Sequence, residues 1–476
     1  MSNLDRRKFY IDGAWVKPIQ PNDFAVLNPA TGESIATISL GSVEDIDLAV
    51  QAARRAFASW SVATPGQRTE LLQNILAVYQ KRYDEMAAVI SLELGAPISM
   101  SRKSQAACGV GHLQAFIRAC ANLQPQQQLD NGDILLREPI GVCGLITPWN
   151  WPVNQMALKV LPALAVGCTS VLKPSELTPL SAILYAEILH EAGVPRGVFN
   201  LVNGEGPVAG AALSRHPGVD MMSFTGSTRA GIAVTRDSAD TVKKITLELG
   251  GKSPNILFAD ADLEKAVKRG VFGCFYNSGQ SCNAPTRMLV ERSIYDKVLE
   301  IAKATGEGQQ VGDPAQEGRH IGPVVSSLQY DRIQDLIHAG IAQGATLLVG
   351  GPGKPRGFDR GYYVRPTIFC DANNDMRIAR EEIFGPVLTI IPFGDEDEAV
   401  RIANDTPYGL AAYVETADAG RAERVARKLR AGQVYINGKE CGDGSPFGGY
   451  KLSGLGREGG LYGLEDFLEI KVVSRP

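Results

Sequence analysis

GVCGLITPW at residues 141–149, a helical pattern from Gln155 to Gly167, TSVLKP at 169–174 and a second helical pattern from Leu180 to Ala192 set short β-rich runs against longer apolar ones. The rhythm continues through VFNLV (198–202), a helix after Gly206, MMSFTG (221–226), a helix from Ser227 and KKITLEL (243–249). Strands alternating with helices over short connections predict an α/β fold around a doubly wound parallel sheet, with ligands in the crevice at the carboxyl ends of the strands.

Working upstream, Ser42 before Val43, Glu44 and Asp45 reads as a helix cap, and Ile46, Val50, Ala53 and Phe57 follow at helical spacing. Thr64 and Pro65 mark a second start, with Leu71, Leu72, Ile75, Leu76 and Tyr79 turned inward. Downstream of Gly251 a second α/β series begins, with strand candidates NILFA, RMLVE, VLTIIPF, AAYVE and QVYIN. The glutamine-rich stretch from Gln124 to Glu138 and the terminal LEIKVV look like strands that pair outside both lobes.

A chain of 476 residues, 44% hydrophobic, is long enough for two large lobes. Its net charge of -4 and scattered basic residues give no surface for nucleic acid. The first residues, MSNLDRRKFY, are charged where a leader would be apolar, and no apolar run approaches the roughly 18 residues of a membrane span. Eight cysteines without CxxC spacing fit a reducing, cytoplasmic setting, and five scattered histidines offer no metal site.

Several residues carry potential chemistry, each with a plainer alternative. Cys282, in FYNSGQSCNAPTR, sits among small residues after Gly279, a setting for an accessible nucleophile; an isolated cysteine is more commonly a small buried hydrophobe. Glu248 ends a strand just before a glycine pair, where burial would suit a general base, or where it is an ordinary charged strand end. Asn150, in TPWNWP, is a rigidly held amide able to meet an oxyanion, or a turn asparagine beside proline. Gly226 and Gly231 flank a helix start at Ser227 that could receive a pyrophosphate, and Lys173 and Glu176 end a central strand as sugar contacts or as solvated charges.

Taken in order, TPWNWP, KPSE, FTGST, ELGGKSP, GQSC, EEIFGPV and SPFGGYKLSG resemble the aldehyde dehydrogenase superfamily from about residue 10 to the C-terminus. The resemblance implies a Rossmann-type cofactor domain from residues 1–119 and 139–250, an α/β catalytic domain over 251–453, and oligomerisation segments at 120–138 and 454–476. It implies oxidation of an aliphatic or aryl-aliphatic aldehyde to its acid, with a semialdehyde as the alternative substrate class. Cys282 would attack the carbonyl, Asn150 and the Cys282 N–H would hold the oxyanion, and Glu248 would activate water against the thioester.

By the same resemblance, Lys173 and Glu176 would contact the adenine ribose, and Glu382 and Phe384 the nicotinamide ribose. Gly226 and Ser227 would lie near the pyrophosphate, with Ile146, Trp149 and Leu249 completing the cofactor site. A carboxylate at Glu176 favours NAD over NADP, which remains a weaker possibility. Trp151, Gln155, Leu158, Tyr276, Ser281, Asn283, Cys441 and Phe447 fall at the positions that line the family's substrate tunnel. The loop from Gly438 to Gly444 carries no aromatic residue and suggests a roomy entrance, with Cys441 as either a contact or an incidental thiol. A homodimer or homotetramer is implied. Two other readings stand beside this one: a relative transferring the acyl group to coenzyme A, which would not need Glu248, and a non-catalytic protein on the same fold.

Overall fold

The computed structural model describes residues 4–474. Five parallel strands, Val142–Ile146, Thr169–Lys173, Phe199–Leu201, Met221–Thr225 and Lys244–Glu248, form the centre of an eight-stranded sheet. The chain builds outward from 142–146 to 199–201, then crosses back and lays 221–225 and 244–248 on the other side. That reversal opens a crevice between the carboxyl ends of 142–146 and 221–225. Both strands are buried along their whole length, because helices cover both faces of the sheet.

The sheet is mixed at its edges, where a purely parallel one was expected. The hairpin Phe9–Ile11 and Ala14–Val16 adds antiparallel beside Phe199–Leu201, and Gly454–Leu455 adds antiparallel beside Lys244–Glu248. Short antiparallel pieces satisfy edge N–H and C=O groups that parallel strands would leave open. The segment 454–476 is therefore divided, with its first residues joined to the large sheet and only Leu468–Val473 in the small one. Residues 120–122 likewise finish the helix Ala107–Asn122. A separate three-stranded sheet of Leu4–Asp5, Ser34–Ser39 and Asp23–Leu27 was not anticipated.

Both helix starts lie where the sequence places them. Ser42 closes a capping box with Asp45 over Val43–Trp60, and Thr64 does the same with Gln67 over Pro65–Lys81. The helix Pro152–Val166 is buried on nearly every side and ends on Gly167 at φ 98°. It follows the first central strand directly, so its N-terminal turn overhangs the crevice.

The second lobe is a seven-stranded sheet in the spatial order Thr346–Val349, Thr367–Cys370, Val387–Phe393, Arg287–Glu291, Pro254–Leu257, Ala411–Glu415 and Gln433–Ile436. All five anticipated strands are present, and 346–349 and 367–370 extend the sheet at one edge. Gln126–Gln128, Ile134–Pro139 and Leu468–Val473 form a small antiparallel sheet with Ile134–Pro139 in the middle. The two strand-like outliers of the sequence thus pair with each other.

Candidate active site

The loop that carries Cys282 is built under strain. Helix Leu263–Phe275 runs into Tyr276–Gly279, where Asn277, Ser278 and Gly279 take φ values of 53°, 55° and 74°. A left-handed residue other than glycine costs roughly 1–3 kcal/mol and persists only when its surroundings hold it. Here Asn277 Nδ2 donates to the Asn150 carbonyl at 2.9 Å, and Ser278 Oγ donates to the Gly322 carbonyl at 2.8 Å. A Cβ on Gly279 would lie 2.1 Å from the Gly385 carbonyl, so only glycine lets this loop meet the loop of EEIFGPV. The outcome is a half-buried Cys282 in the wall of a cavity.

Asn150 is fixed from several directions. Its carbonyl accepts from Gln105 Nε2 at 3.1 Å as well as from Asn277, and its own Nδ2 donates to the Gln280 carbonyl at 3.0 Å. Gln280 is itself held, its Oε1 accepting from Val325 N at 2.9 Å. One N–H of the Asn150 amide is thereby committed, and its direction sets that of the other.

Glu248 ends the strand Lys244–Glu248 and is 5% exposed. Neither carboxylate oxygen has a hydrogen-bond partner among the described residues. Burial pushes its pKa well above the carboxylate range, Glu458 adds to the shift, and Lys159 and Arg457 oppose it. The Cys282 thiol is also pushed up, first by burial and then by the Glu382 and Glu248 carboxylates, while the backbone N–H groups of Cys282 and Asn283 favour the thiolate. In this arrangement the sulfur rests protonated, and it becomes a nucleophile when a proton leaves and negative charge nearby is neutralised.

The expected cofactor residues gather around the crevice. Ile146 ends the strand on one side of it and Gly226 directly follows the strand on the other, with Gly226 N donating to the Glu248 carbonyl at 3.0 Å. Ser227 caps the helix Thr228–Ser238, its Oγ accepting from Ala230 N at 3.3 Å. Lys173 Nζ, almost fully buried, donates to the Gly204 carbonyl at 2.6 Å and pairs with the partly exposed Glu176 at 3.5 Å. Trp149 and Phe384 meet edge to face at 5.2 Å, with Phe384 at φ 59°. Glu382 accepts from Gly251 N at 3.0 Å, and burial pushes its pKa up to about 6. Leu249 is buried against Gly231, where a Cβ would come within 2.7 Å of its side chain.

A cavity of about 780 Å³ contains Cys282 in its lining together with Trp151, Gln155, Leu158, Tyr276, Ser281, Asn283, Cys441 and Phe447, all eight expected tunnel positions. Trp151 Nε1 donates to Ser281 Oγ at 2.9 Å. Tyr413 and Tyr435 stack at 4.8 Å, and Tyr413 Oη donates to the Asn283 carbonyl at 2.9 Å, steadying the residue after the cysteine. The loop 438–444 lacks aromatics, but Tyr413, Tyr435, Phe272 and Tyr276 bring them to the same cavity from other elements.

Sequence reasoning missed Lys159 and Glu458, a buried ion pair beside Glu248. One signal was available: Lys159 is the only charged residue in the helix Pro152–Val166. Glu458 had none, since it lies in the segment assigned to oligomerisation. Asn277 and Gln280, which hold Asn150, were hidden in the same way by distance along the chain.

The chain thus combines two α/β sheets, a crevice at the strand ends of one, and a cavity lined in part by Cys282. The Aldehyde dehydrogenase family profile matches residues 15–473. The chain is 53% identical over 470 residues, 98% of each protein, to a 3-succinoylsemialdehyde-pyridine dehydrogenase of a Pseudomonas species. It superposes on an aldehyde dehydrogenase from Bartonella henselae with a TM-score of 0.98 at 55% identity, covering 99% of both chains. It also superposes on an aldehyde dehydrogenase C mutant from Pseudomonas syringae, a cysteine-to-alanine variant complexed with NAD+ and octanal, with a TM-score of 0.97 at 50% identity, covering 98% of this chain and 96% of that one. The chain belongs to the aldehyde dehydrogenase family.

Proposed function

We propose that this protein oxidises an aldehyde to the carboxylic acid with NAD, through a thioester on Cys282 that water hydrolyses. The observation that carries the reading is Cys282 in the cavity wall with Glu382 and Glu248 close enough to act on its charge. The substrate is an aliphatic or aryl-aliphatic aldehyde, or a semialdehyde such as the name of the Pseudomonas relative indicates.

The crevice fits a dinucleotide. The Thr147 and Thr225 hydroxyls, just at its two walls, are buried with no partner among the described residues, as expected of groups awaiting a ligand. Gly226 and Ser227 would receive the pyrophosphate at the positive end of the helix Thr228–Ser238. Lys173 and Glu176 would hold the adenine ribose, Glu382 and Phe384 the nicotinamide ribose, and Ile146, Trp149 and Leu249 the apolar surface between. The carboxylate of Glu176 accepts from ribose hydroxyls and repels a 2′-phosphate, which favours NAD over NADP. NAD supplies the hydride acceptor.

On the protein side, the Cys282 thiol passes its proton to water, and the thiolate sulfur bonds to the aldehyde carbon as the carbonyl electron pair moves to oxygen, giving a thiohemiacetal oxyanion. The Asn150 amide and the Cys282 N–H stabilise the oxyanion. Loss of hydride from that carbon leaves a thioester. Glu248, once deprotonated, takes a proton from water, hydroxide adds to the acyl carbon, and the sulfur leaves as the acid is released. The Lys159–Glu458 pair behind Glu248 changes the charge that Glu248 feels and so positions its proton affinity. A base at this place supports hydrolysis over transfer to coenzyme A.

The domain division follows the two large sheets, with the crevice lobe binding cofactor and the 251–453 lobe carrying the cysteine. The small sheet is read as an oligomerisation surface that gives a homodimer or homotetramer, because its edge strand exposes Ile470 and Val472. Among the described residues no helix is long and apolar enough to cross a membrane, in keeping with a cytoplasmic enzyme.

The direct test is NADH formation at 340 nm from NAD and a panel of aldehydes, with acid measured in the absence of coenzyme A. Cys282→Ala should abolish NADH while retaining NAD binding. Turnover that survives this change, or that appears only with coenzyme A, would overturn the mechanism.

A further inference from the structure

The cavity that contains Cys282 offers a ligand unpaired acceptors and no free cation. Gln155, on the helix Pro152–Val166, stands in its wall at 4% exposure, and its Oε1 meets no donor among the described residues. Asn255, on the strand Pro254–Leu257 of the other lobe, repeats the pattern: it lines the cavity at 2% exposure, and its Oδ1 is likewise unbonded. A buried carbonyl oxygen without a donor leaves its desolvation uncompensated, and such a group is most readily kept where a ligand supplies the missing N–H or O–H.

The charges around the same space have one sign. Arg269 is the only lysine or arginine among the described lining residues, and its Nε and Nη2 are both bound to the Glu415 carboxylate. His112 Nε2 donates to Asn154 Oδ1 at 2.7 Å, and burial holds its pKa below the ordinary value, so the ring is neutral. The carboxylates of Glu440 and Asp443 line the rim and have no ion pair or hydrogen bond among the described residues. That of Asp443 lies against Gly111, where a Cβ would come within 3.2 Å of it, and acts on the charge of Cys108 and His112 in the cavity wall. Glu440 acts in the same way on Tyr276 and Tyr413. The rings of Trp151, Tyr276, Tyr413 and Tyr435 share this wall, and aromatic faces attract cations.

Building on the proposed aldehyde oxidation, we infer that Gln155, with the Glu440 and Asp443 carboxylates at the rim, selects an aldehyde whose far end carries a protonated amine over a neutral alkyl aldehyde and over one ending in a carboxylate. A hydroxyl would supply the donor alone; a protonated amine supplies donor and charge together, and hydrogen bonds from a charged donor are the stronger kind. An alkyl tail leaves the Gln155 oxygen bare, and a carboxylate tail adds a third negative charge.

The test compares kcat/KM of the full-length enzyme with NAD at neutral pH in two matched sets. The first holds 4-(dimethylamino)butanal, 5-methylhexanal and 5-oxopentanoate; the second holds 6-(dimethylamino)hexanal, 7-methyloctanal and 7-oxoheptanoate. A tertiary amine is charged at neutral pH, keeps one N–H and does not close to an imine. In at least one set the amine should exceed its hydrocarbon isostere by about tenfold, the worth of one charge-assisted hydrogen bond, and the carboxylate should fall below that isostere. In Gln155→Met the ratio of amine to isostere should fall toward one, whatever happens to the rates common to both. In the double variant Glu440→Gln, Asp443→Asn, confined to an exposed loop and so free of any folding defect in the helix, it should fall by about two- to fivefold. Amines no better than their isosteres in either set would overturn the inference while leaving aldehyde oxidation standing. So would preference for a carboxylate, or an unchanged ratio in either variant. No NADH from any of the six would overturn the aldehyde reading and the inference with it.

Discussion

Arg287 and Glu248 are both charged side chains removed from water on parallel strands, one in each large sheet, and the fold treats them in opposite ways. Arg287, wholly buried, donates to the carbonyls of Lys252 at 3.0 Å, Ile402 at 3.0 Å and Ala403 at 2.9 Å, and to Asn374 Oδ1 at 2.8 Å. Glu248 is nearly as buried and bonds to nothing among the described residues. A charge with a full set of partners repays its desolvation and ties chain segments together. A charge without them carries the desolvation cost, and a fold keeps it where the proton affinity it creates is used. Arg287 fastens the strand Arg287–Glu291 to the segments around Lys252 and Ala403; in the proposed mechanism Glu248 is the group that exchanges a proton.

The contrast can be broken by substitution. Glu248→Gln keeps the shape and removes the base, so kcat should fall by about a hundred- to ten-thousand-fold, with the thermal midpoint unchanged or slightly raised; steady-state kinetics and a melting curve check both halves. In the parent enzyme, the raised pKa of Glu248 means that the base form accumulates only as pH rises. Where hydrolysis limits turnover, kcat should climb toward tenfold per pH unit below that pKa, and the climb should vanish in Glu248→Gln.

Asn150→Ala should reduce kcat by about a hundred- to a thousand-fold, the usual worth of one oxyanion donor. Because the Asn150 carbonyl remains to hold Asn277 and Gln105, the loss should be far larger in rate than in stability. Equal losses in both would place Asn150 with Arg287, among the framework groups.

Arg287→Met should show the converse, lowering unfolding free energy by about 3 kcal/mol through stranded carbonyl acceptors, while activity per folded molecule changes little. A rate loss on the scale of Glu248→Gln would refute the division between the two charges.

Lys252 sharpens the comparison, because its Nζ is buried with no partner among the described residues and burial pushes its pKa down to about 7. An unfolded chain holds that proton up to the ordinary lysine range, so between about pH 7 and 8.5 the unfolded state binds more protons and stability gains from this lysine as pH rises. Lys252→Met should remove that gain, with a stability change at neutral pH of only about 1 kcal/mol. Melting curves of both forms across this window would detect the difference in slope.

Much of the site was legible because its residues lie where local chemistry speaks. Ser42 and Thr64 carry their helix caps in the adjacent residues, and Ser227 opens its helix as read. The two pieces of the small sheet stood out as alternating strands in segments that fitted neither lobe. Lys159 was a charge in an apolar helix and could have been noticed; Glu458 could not. The aromatic residues lining the cavity were only partly legible from the loop 438–444, because Tyr413 reaches it from the strand Ala411–Glu415 and Phe272 from the helix Leu263–Phe275.

From the sequence alone came the alternation of strands and helices, the division into two α/β lobes, the order of the motifs and the residue types able to perform thiol chemistry. These follow from local propensity and periodicity, which act between near neighbours. Only the tertiary structure decided which polar groups were paired and which were left bare. Glu93, for example, accepts from Leu180 N at 2.6 Å and Ser181 N at 3.0 Å, capping a helix that its own neighbouring residues leave uncapped. The left-handed turn before Cys282 depends on partners as distant as Gly322, and the charge at Glu248 depends on Glu458. Burial and hydrogen bonding are properties of an environment assembled from distant segments, and in this protein they separate the groups that hold the fold from those left free for chemistry.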